Sequence, residues 1–561
     1  MIQHQSPISG VAAFAGKFIA TAGYDNQLVL WRADEHRSVA RAWHDHLVNQ
    51  TSFSSCGRFL VTASSDHTAR LWAVPELKLL AVFSEHDDDV EMAVIHPTEP
   101  LVATASRDHC VRVFGFDGKL VWRLQGHTAD VISVVWSKDG RHLVSSSDDG
   151  TIKRWALHDG TLIENIDLQG VETDTVAIAQ DGTIFAGNDN GSLIVVRNGL
   201  PQTFEAHSAG IKRLVLNDET SRLVCISYDR TLSIWDVSAE VPALLRTSSL
   251  PSVVWPRSCA FVGQDTLVFA TFGSTYATWD STSDQWDVSR VGPTGGMNAV
   301  TVRGGRRYTI GDAGRLYQDG VVVQDIGSLC NFLLLVGPLM LTGGQIGQVF
   351  DAFTGRVLHQ HRSPLNCGVA FPRDGGWYAV IGTYTGEGLV FEIDEDGACR
   401  MTRELTLHAN AVKSLAVHGE QLFSVCADTS VAWLSTREFR EMARMEGAHD
   451  RISNGCASLA DGRFVSVGRD LRMRLWNIPG VPEVVATPHN RSIKCVGTSP
   501  DGRLVATGSY GGSVALYDVE RKEWRPSQRP TTAGISSICF DSTRGCFVAA
   551  SYDGRTYEVS A

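Results

Sequence analysis

The chain has 561 residues, 43% of them hydrophobic and 20% charged, with a formal net charge of −12 and a pI near 5.8. That acid excess argues against a surface dominated by nucleic acid, which calls for a basic stripe, and the length exceeds what one core fills, so two domains are expected. Twelve cysteines without a C-x-x-C pair read as reduced thiols rather than a zinc or disulfide frame, and neither MIQHQSPISG nor the longest apolar run, near Phe332 to Val336, fits a signal or a membrane span, so a soluble cytoplasmic protein is expected.

The first predicted strands are Ile8 to Phe14, Phe18 to Ala22 and, after Asp25, Gln27 to Trp31. The same order recurs along the chain. Its clearest copy, Gly126 to Trp155, has three period-2 apolar runs parted by Lys138-Asp139-Gly140 and Asp148-Asp149-Gly150, the pattern of a meander of short antiparallel strands. Taking the strand-end aromatic as marker (Trp31, Trp72, Phe114, Trp155 and onward to Tyr557), fourteen units follow one another at intervals of 33 to 44 residues, one with Val195 in the aromatic slot. A His lies 27 or 28 residues before the aromatic in six units, and an Asp six before it at Asp25, Asp66, Asp108, Asp149, Asp229 and Asp470. Repetition at this period marks an array of supersecondary units that bury their faces only by stacking.

These units resemble WD40 repeats, with Gly126-His127 as the Gly-His pair and Trp235-Asp236 and Trp279-Asp280 as Trp-Asp pairs. The resemblance implies an all-β chain of two tandem WD40 β-propellers with seven blades each: residues 1–285 for blades 1–7, and 286–561 for blades 8–14, the first three degenerate. It also implies that the His, a strand-b Ser or Thr, the Asp and the strand-c aromatic form one hydrogen-bonded group inside a blade. By position this structural role falls to His44, Asp66 and Trp72; His86 and Asp108; His127, Asp149 and Trp155; His207, Asp229 and Trp235; and His449, Asp470 and Trp476. Because the set recurs, it reads as scaffold rather than as a Ser/His/Asp catalytic group, of which one would suffice.

Blade 5 lacks the His, and blade 7 has Gly273 where the Asp belongs. The turn Asp280 to Asp284 places a domain boundary close by. Gly292 to Phe391 has none of the His/Asp pairs and carries Gly295-Gly296, Gly304-Gly305 and Gly343-Gly344, expected as hairpin turns. Gly343-Gly344-Gln345-Ile346-Gly347 lacks the following helix and the Gly-Lys-Ser/Thr element of a phosphate loop. The chain ends at a third strand. The last blade is therefore expected to take its outer strand from Met1 to Gln5, or each ring to close itself, with Met1 to Gln5 completing blade 7 and Gln285 to Val291 completing blade 14.

Neither His44-Asp45-His46 nor His359-Gln360-His361 has further ligands at metal-site spacing, and Asp87-Asp88-Asp89 is too short for a calcium loop, so no metal and no cofactor is expected. Arg303 to Arg307, the densest basic cluster, reads as an exposed turn. In the family, residues just before the b–c turn Asp face partners from the upper side. Here these are Tyr24, Ser65, Arg107, Asp148, Tyr228 and Arg469, with Tyr510 and Tyr552 in similar places, and Tyr and Arg are favoured interface types. The function expected is a non-catalytic scaffold for proteins or peptides. The alternatives are a propeller enzyme with a channel-mouth site for a small polar substrate, marked by two carboxylates within reach of one another, and a nucleic-acid or nucleotide sensor in a larger complex.

Overall fold

The computed structural model describes residues 2–373, 375–477 and 480–560. Among these there is no helix, and therefore none long and apolar enough to cross a membrane. Strands follow one another as antiparallel meanders, thirteen sheets of four strands and one of three. In blade 1 the order a, b, c, d is Ile8–Phe14, Phe18–Gly23, Gln27–Arg32 and Arg37–Trp43, each paired with the next. Burial falls from inside to outside. Every residue of strand b of blade 1 is buried, so it reads as a continuous run of apolar and small residues, whereas outer strands are largely exposed, leaving Leu79, Leu80 and Val82 in blade 2 on the surface.

The chain divides into two compact units, Met1–Thr294 and Gly295–Ala561, each holding seven sheets. The division lies beyond the expected 285/286 boundary. The physical reason is that Gln285–Asp287 pairs antiparallel with Ala277–Asp280 as strand d of blade 7, so it does not supply an outer strand to blade 14. Nor do residues 2–6 form a strand; Met1 lies outside the described residues. His4 instead binds the blade 7 backbone through its amide, N to Ser274 O at 3.0 Å, and places its ring in blade 1. Blade 14 has the three strands Ile535–Asp541, Cys546–Ser551 and Thr556–Ser560.

Each unit closes through its own innermost strands. In the first, Val11 N of blade 1 donates to Ser258 Oγ of blade 7 at 3.0 Å; in the second, Val300 N of blade 8 reaches Ser537 Oγ of blade 14 at 3.4 Å. Between successive blades the cores are apolar, as where Trp155 packs with Val94, Val113 and Trp136.

The glycines of the weak blades are explained by close approach. Gly311 and Gly344 stand directly before the residue that precedes the b–c turn, where most blades have Ser or Thr. A Cβ on Gly311 would lie 1.9 Å from Gly296 O, and one on Gly344 2.1 Å from Leu329 O. Gly347, with φ +72°, makes the turn itself. The Gly-Gly-Gln-Ile-Gly motif is thus a b–c hairpin, and Arg307 in the nearby basic cluster pairs with Glu558 at 2.7 Å.

Candidate functional site

Two local devices build the upper side of each unit. The first is a backbone bond repeated in all fourteen blades: the residue before the b–c turn donates its N–H to the carbonyl of the residue before strand a, at 2.8 to 3.3 Å. Tyr24, Ser65, Arg107, Asp148, Tyr228, Arg469, Tyr510 and Tyr552 all make it. So do Asp189, Phe272, Asp312, Gln345, Tyr384 and Ala427, which the sequence reading left out because their blades have no Asp six residues before a strand-end aromatic; in the blade of Ala427 the Asp is Asp428, five before Trp433.

The second device is a β-bulge at the second residue of strand a, found for example at Glu91, Asp174, Lys212, Asn331 and Lys494. A bulge re-aims its side chain. In the second unit the bulge asparagines tie neighbouring blades together: Asn298, Asn331, Asn366 and Asn454 each donate to the first strand-a residue of the next blade, at 2.7 to 3.1 Å.

In the first unit the bulge and pre-turn positions carry charge and meet in one network. Arg107 Nε donates to Glu91 Oε1 at 2.6 Å and its NH1 to Asp130. Arg257 NH2 reaches Glu91 Oε2 at 3.3 Å across the axis, from blade 7 to blade 3, and its NH1 lies 3.5 Å from Tyr24 OH. Lys212 bonds both Asp174 and Asp189 and sits 4.9 Å above the Tyr228 ring. Tyr24 meets Trp255 edge-on at 5.1 Å, and Ser65 Oγ donates to Asp89 at 2.9 Å.

Acid exceeds base here, and the carboxylates are shifted accordingly. Burial and the carboxylates of Glu172, Asp174 and Asp130 push Asp148 well above the usual carboxylate range, with its Oδ1 buried and lacking a hydrogen-bond partner. Burial also lifts Asp174 to about 6, aided by Asp189 and opposed by Lys212. Glu91 goes the other way: against burial, Arg107 and Arg257 hold it below its ordinary value.

The His/Asp sets lie inside the blades, away from this network. His127 Nδ1 donates to Asp149 at 2.9 Å, its Nε2 accepts from Ser145 Oγ at 2.8 Å, and Trp155 Nε1 donates to the same hydroxyl at 3.0 Å. His44, Thr62, Asp66 and Trp72 repeat the pattern, as do His449, Ser466, Asp470 and Trp476. Two blades vary it. In blade 3, where Phe114 has no N–H, the buried Arg112 bonds Asp108 at 2.6 Å beside His86. In blade 6, Cys225 takes the strand-b place, and the hydroxyl shared by His207 and Trp235 comes from Ser233 on strand c, with Asp229 on the other ring nitrogen.

A further member escaped the sequence reading. His4 bonds Asp25 at 2.9 Å and Thr21 at 2.8 Å, with Trp31 Nε1 on the same Thr at 2.8 Å. The signal was present, since His4 precedes Trp31 by 27 residues, as His449 precedes Trp476.

Three groups of possible metal ligands come together among the described residues. In His408/Cys426/Asp428, both His408 nitrogens are held by Ser430 and Ser424. In His361/Glu387/Glu404, Arg362, Thr383 and Thr385 occupy the Glu387 carboxylate. In His67/Asp88/Asp89, Asp89 accepts from Ser65.

A model of the WD domain, G-beta repeat family matches residues 38–73, 77–115, 118–156, 199–236 and 481–518. These five stretches are WD40 repeats. Each matched WD40 span opens near strand d of one blade and ends on strand c of the next, so every repeat laces two blades together. Over 178 residues the chain is 31% identical to transcription initiation factor TFIID subunit 5 of Caenorhabditis elegans, covering 31% of this chain and 27% of that protein. It is 27% identical over 233 residues to target of rapamycin complex subunit wat1 of Schizosaccharomyces pombe, 39% of this chain and 73% of the relative. With autophagy-related protein 16 of Arabidopsis thaliana it shares 25% identity over 228 residues, 39% of this chain and 45% of that one.

Proposed function

We propose that this WD40 chain is a non-catalytic scaffold that holds proteins or peptides within a multi-protein assembly, in the cytoplasm and without a cofactor, and that docking occurs on the upper face of its first unit. The observation that carries this reading is the preordered mouth: Tyr24, Arg107 and Tyr228 are fixed by Trp255, Glu91 and Lys212, so little side-chain entropy remains to be lost on binding. That two relatives are named as subunits of larger complexes supports it. The test is affinity capture of the native protein with identification of what accompanies it. Tyr24→Ala and Tyr228→Ala are expected to lose partners that Arg306→Ala and Gln345→Ala retain; the reverse pattern would move the site to the second unit.

One observation favours the enzyme reading. Asp174 and Asp189 share Lys212, and burial lifts the Asp174 carboxyl to about 6, the arrangement a general acid requires. Turnover of a glycoside or ester by the native chain that disappears in Asp174→Asn at an unchanged melting temperature would replace the scaffold reading.

A further inference from the structure

Blade 10 has none of the His/Asp pairs in its sequence, yet it keeps the place for one. His361 donates its backbone N–H to Gly347 O at 2.8 Å, the bond by which His44 reaches Asn26 O at 2.9 Å, His207 reaches Gly191 O at 2.9 Å and His408 reaches Gly386 O at 3.0 Å. By position it is therefore the His of its blade. Its usual partners are missing: Thr385 stands directly after the pre-turn Tyr384, where the Asp belongs, and Phe391 in the aromatic slot has no N–H to share a hydroxyl. His44, His127 and His449 have both ring nitrogens bonded. His361 is only 7% exposed, and its Nε2 is buried with no hydrogen-bond partner among the described residues.

What Nε2 faces is carboxylate. Glu404 Oε2, on strand d of blade 10 (Cys399–Thr406), lies 4.0 Å away, too far for a hydrogen bond. Glu387, which opens strand c (Glu387–Ile393), adds a second carboxylate, and one ligand atom of each of the three residues lies within 4.8 Å of the others. The Thr383 and Thr385 hydroxyls donate to Glu387 and fix it. The pair already draws a cation: Arg362 NH2 lies 2.6 Å from Glu387 Oε1 and 3.8 Å from Glu404 Oε1. Arg362 and Glu404 are both exposed, so an ion can enter between them.

The histidine is backed for this role. Ser363 offers Nδ1 its N–H at 3.1 Å and its carbonyl at 3.4 Å, so with a metal on Nε2 the ring proton moves to Nδ1 and the carbonyl accepts it, as is usual behind a metal-bound histidine. A tetrahedral zinc holds its ligand atoms about 3.4 Å apart, so the three close on an ion by shifts of about 1 Å, which the exposed Glu404 side chain supplies. One imidazole with two carboxylates suits zinc rather than the all-oxygen ions. His359, the other histidine of the pair noted in the sequence, lies edge-on to Phe391 instead, ring centres 5.6 Å apart. The carboxylate ligands escaped sequence spacing because they follow His361 by 26 and 43 residues.

We propose that His361, Glu387 and Glu404 form a zinc-class divalent metal site that ties the link between blades 9 and 10 to strands c and d of blade 10. The ion is structural and does there what the His/Asp group does in the regular blades. It is independent of either docking face.

The experiment strips the full chain with a chelator under reducing conditions and titrates it with cobalt(II), zinc(II) and, as the control, magnesium(II). One equivalent of cobalt should give visible d–d absorption without a thiolate charge-transfer band, zinc should displace it, and magnesium should not. His361→Gln should abolish the spectrum, and Glu404→Gln should weaken zinc about tenfold or more. Arg362→Gln removes the competing cation and should tighten it. A cobalt site unchanged in Glu404→Gln, a spectrum carried by thiolate, or no saturable binding at millimolar metal overturns the proposal. If His361→Gln does not fold, Glu404→Gln and Arg362→Gln decide, because the site requires them to move zinc affinity in opposite directions.

Discussion

At the scale of single residues, the His/Asp groups show how a WD40 blade buries polar atoms at its upper edge without leaving them unsatisfied. Removing one member strands the others. Asp149→Ala takes the acceptor from His127 Nδ1 and from the Thr128 and Thr151 amides, so it should cost about 1–3 kcal/mol in urea unfolding. Binding at distant blades should persist. The same groups set a pH dependence. His408 and His489 are both lowered to about 4, chiefly by burial, so they stay neutral in the fold while the unfolded chain takes up their protons below about 6.5. A folded pKa below the unfolded one gives stability that is complete above about 6.5 and lost as pH falls toward 4. For Asp229 and Asp470, burial raises the pKa, but the surrounding donors, His207 and Thr231 for one and His449 and Arg474 for the other, together outweigh it and hold the pKa at about 2, so their contribution disappears lower, between about 4 and 2. His489→Asn should therefore flatten the fall in stability between pH 7 and pH 5 by about 2 kcal/mol, measured by urea titration at both values.

The element scale explains why sequence spacing found some blades and not others. Where strand b ends in Ser before the turn, as at Ser147, its hydroxyl caps the Asp149 amide, and the Asp then receives the His: three polar residues at fixed offsets write the blade into the sequence. Blades 8 and 9 reach the same backbone bond by leaving out the side chain, with Gly311 and Gly344 letting the carbonyls of Gly296 and Leu329 approach. Nothing polar is then needed, so nothing marks the position. Gly344→Ala tests this. A methyl group 2.1 Å from Leu329 O must push two segments apart, and the expected loss is about 1–3 kcal/mol, against near neutrality for Gly263→Ala, where the space is open and φ is not positive. An equal effect at both sites in urea unfolding would mean that backbone freedom, rather than close approach, is what Gly344 supplies. The mouth was legible only in part. The pre-turn residues of six regular blades could be counted from their Asp, but Arg257 and Glu91 are 166 residues apart and meet only because the ring closes. Bulge residues such as Asp174 and Lys212 look in sequence like ordinary strand positions, because a bulge is a property of the pairing and not of the residue. His4 was readable and passed over, for the strand it was expected to join does not form.

At the scale of the whole molecule, the path of the chain decides how independent the two units are. A ring whose last blade borrowed a strand from the other unit would unfold when the two were cut apart, because an open ring leaves a strand edge and a blade face without partners. The observed closures run otherwise. Blade 7 completes itself with Gln285–Asp287, blade 1 joins blade 7 through Val11 and Ser258, and His4 adds the bond to Ser274. In the second unit, blade 8 joins blade 14 through Val300 and Ser537, and Ser536 Oγ donates to Met297 O. We therefore expect the fragments 1–294 and 295–561, expressed separately, each to give an all-β circular dichroism spectrum and a cooperative thermal transition. The first should lose that transition when cut back to 1–285, which keeps one residue of strand d of blade 7 and removes Thr294, whose Oγ1 donates to Phe272 O at 3.1 Å. Failure of 1–294 to fold, with recovery when 295–561 is added, would show that closure requires the other half of the chain.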